Sequence, residues 1–185
     1  MNNWWRWLGL LAAWWMGVFL VQRILFLAFA FRSLRDAPWP EILATNLHAI
    51  PMDLSATGYI LMASALLSSP LLFRELRWVR RGLVVWTLAL LMLSALLNVT
   101  DIGLFEAWGS KLDRKALSYL AFPKEAAASV PLSGILLLLT VAVAQVIAFW
   151  TLFRRLDQKK EFNTGGSAVR WASVVAATVL GLMAA

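Results

Sequence analysis

The chain has 185 residues, of which 61% are hydrophobic and only 15% charged, against about 25% charged in an ordinary soluble domain. That balance excludes a water-soluble globular protein, and the absence of cysteine excludes disulfides and thiolate metal sites. The formal charge of +7 would suit nucleic acid, but the basic residues sit in short segments between apolar runs. There they read as membrane-topology signals and imply no nucleic-acid partner.

In chain order, five apolar runs predict transmembrane helices over about 7–31, 54–73, 82–100, 130–153 and 168–185. A helix needs roughly 20 apolar residues to cross a ~30 Å hydrocarbon core. The first run is too long for a signal-peptide core and has only Arg6 ahead of it, so it reads as a retained helix. It carries Gln22 and Arg23 inside its apolar stretch. The second is closed by Arg74, Glu75 and Arg77. The third follows Arg80-Arg81 and ends at Asp101. The fourth opens with Pro131 and ends at Arg154-Arg155. The fifth begins after Arg170 and has reached only Ala185 when the sequence stops, so a further domain is expected beyond it.

Between the first and second runs, Ile42, Leu43, Leu47 and Ile50 fall on one helical face, opposite Glu41, Thr45 and His48, and Pro51 closes the stretch. Between the third and fourth, Leu112, Ala116, Leu117 and Leu120 oppose Asp113, Arg114, Lys115 and Ser118 ahead of Pro123. Both predict amphipathic helices in a headgroup layer. With the N-terminus inside, ten Lys or Arg fall on the cytoplasmic side and six outside. The positive-inside rule therefore favours N-in, with both amphipathic segments outside. The fold class is an all-α membrane protein with membrane lipids as its first partner. Many of the eleven Trp cluster near run ends, among them Trp4, Trp5, Trp7, Trp39 and Trp78; there they predict interfacial belts.

Catalytic constellations are nearly absent: one His, no Cys, no metal-spaced cluster, no phosphate loop and no nucleophile elbow. No catalytic or metal-binding residue is expected in this segment. His48 reads as a hydrogen-bonded surface residue. Arg23 is the costly feature, because a charge in hydrocarbon needs a partner or must snorkel. It is expected to pair with Asp53 or Asp101, or to contact an anionic headgroup. Asp53 is expected to cap the second helix. Asp101, at a helix C-terminus, would pair with Arg23, Lys111 or Arg114. Gln145 is expected to hydrogen-bond across the bundle.

Two segments carry a resemblance. Asn98-Val99-Thr100-Asp101-Ile102-Gly103-Leu104-Phe105, then Gly109-Ser110-Lys111 and Ala116-Leu117-Ser118-Tyr119-Leu120, resembles the loop after the third helix in lipoteichoic acid synthase-like proteins. These are membrane-bound phosphoglycerol transferases and sulfatase-like enzymes. Pro51-Met52-Asp53-Leu54-Ser55 looks like that family's entry to the second helix, with Pro51-Met52 replacing its basic-aromatic pair. The resemblance implies five spans in a bacterial inner membrane, followed by an extracytoplasmic catalytic domain. There a Thr nucleophile and a divalent metal, typically manganese, move phosphoglycerol from a lipid donor whose headgroup would be a partner of this segment. A stand-alone scaffold or transporter-like protein is the other class the residues allow.

Overall fold

The computed structural model describes residues 3–31, 38–72, 77–109 and 132–157, together with Val175, Thr178 and Val179. The described residues are helical with no strand. Four long helices, α1 (Asn3–Ala30), α2 (Trp39–Ser68), α3 (Arg77–Trp108) and α4 (Leu132–Asp157), are joined by a 3-10 turn (Ser69–Leu72) after α2. All four are long and apolar enough to cross a membrane. Of the expected fifth span only the three isolated positions are described, in helical conformation. The second amphipathic segment, 111–122, lies outside the described residues.

Three expectations are corrected by helix length. The stretch 42–50 and the second span are one helix of 30 residues, with Pro51 inside it. Pro51 offers no N–H to the carbonyl four residues back, a loss of roughly 3 kcal/mol in an aqueous helix interior. Long apolar helices tolerate it when neighbouring groups re-satisfy the backbone. The carbonyl affected is that of Leu47; separately, at carbonyls ahead of it, Thr45 Oγ1 donates to Glu41 O at 2.8 Å, Asn46 Nδ2 to Ile42 O at 2.7 Å, and His48 Nδ1 lies 2.7 Å from Ala44 O. The helix begins on Pro38, whose carbonyl accepts from the N–H groups of Glu41 and Ile42. Asp53 is therefore in mid-helix and caps nothing.

The third span is likewise longer than 82–100, at 32 residues. Its stop is Gly109, at φ +68, whose N–H donates to Phe105 O at 2.9 Å. That is the left-handed cap a glycine accepts without steric cost. Asp101 thus lies two turns before the helix end, where the dipole argument against it fades. The fourth helix ends on Asp157, with Arg154 and Arg155 in its last turn, where cations meet the negative end of the dipole.

The chain divides into two compact units, one of Met1–Leu20, Pro38–Leu88 and Leu152–Ala185, the other of Val21–Ala37 and Ala89–Thr151. In the first, Trp4, Trp7, Trp14 and Trp15 are buried, which corrects the reading of the early Trp residues as a lipid-facing belt. The buried positions of α2 are small: Thr57, Gly58, Ser64, Ala65 and Ser68. Trp4 Nε1 donates to Ser68 Oγ at 3.1 Å, and Thr57 Oγ1 meets Met16 Sδ at 3.5 Å. Twelve residues along α1 thus match eleven back along α2, so the two helices run antiparallel. Trp14 also meets the ring of Phe153 at 5.3 Å. Lipid gives helices no hydrophobic drive to associate, so this bulky-on-small packing is what holds them. Trp39 and Trp78 remain exposed, at 67% and 70%, as interfacial rings are.

Candidate functional site: a polar layer on α1 and α3

The second unit is organised by the far half of α1 and the matching half of α3. On α1, Gln22, Phe26 and Ala30 recur every four residues and are all buried. On α3, Asn98, Ile102 and Phe105 face them. Gln22 Nε2 donates to Ser94 Oγ at 3.2 Å, and Asn98 Nδ2 donates to the Gln22 carbonyl at 3.0 Å. Ser94 Oγ in turn donates to Leu91 O at 3.0 Å. One turn on, Phe26 and Phe105 meet edge to face at 5.2 Å. Around them Ala30 and Ile102 are buried, with Leu27 and Leu138 packed alongside. Contacts advance in the same sense on both helices, so α1 and α3 are parallel.

This geometry changes what the Asn98–Asp101–Phe105 spacing means. Those residues are helical and not in a loop, and steps of three and four put them on one helical face. Asn98 and Phe105 are explained as packing against α1, and Gly109 as the helix cap. Asp101 lies between them, half-buried.

Arg23 is half-buried beside Gln22 on α1. Gln22 is tied to Asn98, so Arg23 is one residue above that link and Asp101 three residues above it. At about 1.5 Å of rise per residue, the two charges differ in depth by roughly 3 Å, well within the reach of an arginine side chain. Arg23, Asp53 and Asp101 each make an interaction within the chain. Asp53, half-buried in α2, belongs to the other unit. Lys111 and Arg114 lie outside the described residues. His48 is exposed and bonded to its own helix.

Gln145 departs from expectation. It is 5% exposed, yet neither end of its amide has a hydrogen-bond partner among the described residues. Asn98 Oδ1 is likewise unpartnered. Leu138 Cδ1 approaches to 2.9 Å from where a Cβ on Gly103 would stand, so α4 lies close against α3 there. Leu138, Ala142 and Gln145 share a face of α4 at steps of four and three, and Ala142 is buried. Seven residues along, Gln145 is about 10 Å from Leu138 along the helix. Gln22, Ser94 and Asn98 were missed as a group in the sequence. The available signal was Ser94 and Asn98 one turn apart in the otherwise apolar stretch 88–99 of α3.

Among the described residues no three His, Cys, Asp or Glu side chains are grouped to hold a metal ion. No family model, curated protein or solved structure matches the chain.

Proposed function

We propose that this chain is the membrane domain of a lipoteichoic acid synthase-like phosphoglycerol transferase, or of a related sulfatase-superfamily enzyme acting on lipid or glycan at the outer face of a bacterial inner membrane. In this reading the N-terminus is cytoplasmic and five helices span the bilayer. The far half of α1 and α3 faces the outer leaflet. The domain anchors an extracytoplasmic catalytic domain and shapes the surface where a phospholipid donor presents its headgroup. Nucleophile and divalent metal, manganese in the family it resembles, belong to that catalytic domain, and no residue of the described segment is assigned to either.

The observation that carries the reading is Asp101. Within the resembling segment, packing and capping account for Asn98, Phe105 and Gly109, while Asp101 sits half-buried at the depth of Arg23. A carboxylate and a guanidinium near the end of a hydrophobic span cost too much to be incidental. Paired, they lock α1 to α3. The guanidinium's remaining donors then suit a lipid phosphate.

The test follows phosphoglycerol. Cells with and without the gene for this chain are given phospholipid labelled in its glycerol headgroup. The reading expects an envelope glycan or lipid to acquire label only when the gene is present, and to lose it when Asp101 and Arg23 are both replaced. Labelling of every envelope fraction that is indifferent to the gene would contradict it. The stand-alone scaffold has no observation of its own in its favour.

A further inference from the structure

The opposite end of α3 holds an arrangement that helix stability opposes. Arg77, Arg80 and Arg81 occupy the first five positions of α3, and all three are exposed. Spacings of three and four residues place them on one helical face. Like charges at those spacings repel. They also crowd the positive end of the helix dipole, and the first turn contains no acidic residue to offset them. The pair on α4 is different: Arg154 and Arg155 sit in a last turn, where the dipole favours them. A signal for topology alone needs positive charge, which lysine supplies as well as arginine and which any position in the segment would serve. The sequence has Lys159 and Lys160 just past α4 at this end, whereas α3 opens on arginines alone.

Arg80 makes an interaction within the chain; Arg77 and Arg81, for which no partner is found among the described residues, form a pair one helical turn apart. Their side chains leave the helix roughly 6 Å apart, a spacing that lets two planar guanidinium forks grip one phosphate. Trp78, 70% exposed, stands next to them and sets their depth. An exposed indole beside an apolar span settles at the headgroup level, where lipid phosphates lie.

We propose that Arg77 and Arg81, at the N-terminus of α3, form a binding site for the phosphate of an anionic phospholipid. The bound lipid supplies the negative charge that the first turn lacks, so that α3 is most stable when a lipid occupies it. The site is independent of which leaflet it faces, and it lies more than four helical turns along α3 from Asn98.

Native mass spectrometry and thermal unfolding of the purified chain in neutral detergent test this with phosphatidylglycerol, phosphatidylcholine and inorganic phosphate as separate additions. Wild type should retain phosphatidylglycerol over phosphatidylcholine and gain melting temperature with it. The R77Q/R81Q variant should bind phosphatidylglycerol about tenfold more weakly, while R154Q/R155Q, with the same loss of charge, should stay within about twofold of wild type. The R77K/R81K variant should fall clearly below wild type, because an ammonium grips phosphate as a point charge. Without lipid, R77Q/R81Q should melt at or above the wild-type temperature, because a repulsion has been removed. Equal losses in the two glutamine pairs, no headgroup preference, full binding by the lysine pair, or displacement by millimolar inorganic phosphate would each overturn the assignment. So would a lower melting temperature of R77Q/R81Q without lipid, which would mean the arginines serve an internal contact.

Discussion

The two units of the chain hold helices together by different means. In the first, bulk meets small residues: Trp4, Trp7, Trp14 and Trp15 are buried, the buried positions of α2 include Gly58, Ser64, Ala65 and Ser68, and Trp4 bonds Ser68. The Trp4–Ser68 bond orients a ring that dispersion already holds. In the second, the link is polar: a glutamine side chain, a serine, an asparagine and a backbone carbonyl are chained between α1 and α3, with aromatic packing a turn further on. Shape complementarity is cheap to keep in hydrocarbon and easily lost when a ring is cut away. A polar layer is costly wherever a group is left unpaired, as Asn98 Oδ1 is among the described residues.

The largest effect should come from the first unit. Trp4→Ala or Trp15→Ala removes a ring that is 1% exposed and should cost about 3–5 kcal/mol in reversible unfolding. Trp39→Ala and Trp78→Ala, at exposed positions, should stay within about 0.5 kcal/mol. If exposed and buried tryptophans lost stability equally, the packing of α1 on α2 would be misassigned.

The charge pair comes next. A double-mutant cycle of Arg23→Leu with Asp101→Asn should return a coupling of about 1–3 kcal/mol. Additive effects at Asp101 would mean that Arg23 snorkels and that the depth match is idle.

The smallest effect distinguishes two glutamines within the polar unit. Gln22→Leu deletes a made bond to Ser94 and should destabilise by roughly 0.6–1.7 kcal/mol. Gln145→Leu deletes an amide with no partner among the described residues, and should be neutral or stabilising. A destabilising Gln145→Leu would show that this amide is satisfied in the membrane after all.

Legibility in the sequence followed the same divide. Hydrophobic run length was enough for the number and order of the four described spans, because a bilayer core demands a minimum apolar length. It could not mark where α2 starts or where α3 stops. A helix satisfies its own backbone on either side of the lipid boundary, so Trp39–Ile50 and Ile102–Trp108 continue without needing apolar residues. Pro51 and Asp53 suggested a boundary because both are boundary residues in short aqueous helices. The buried tryptophans were hidden for another reason. A Trp near the end of a run looks interfacial until the small residues of a partner helix open space for it, and that pairing is tertiary. Arg23 and Asp101 were legible as residues that need partners. Their common depth became visible only through the Gln22–Asn98 link.

All of this bears on function only if the far ends of α1 and α3 face outward. The Cys-free background allows a direct test: Ser110→Cys and Gln158→Cys variants in intact cells are treated with a membrane-impermeant thiol reagent, before and after permeabilisation. The account predicts labelling of Ser110→Cys in intact cells and of Gln158→Cys only after permeabilisation. The reverse pattern would place Arg23 and Asp101 near the cytoplasmic leaflet and contradict the proposed role at the outer surface.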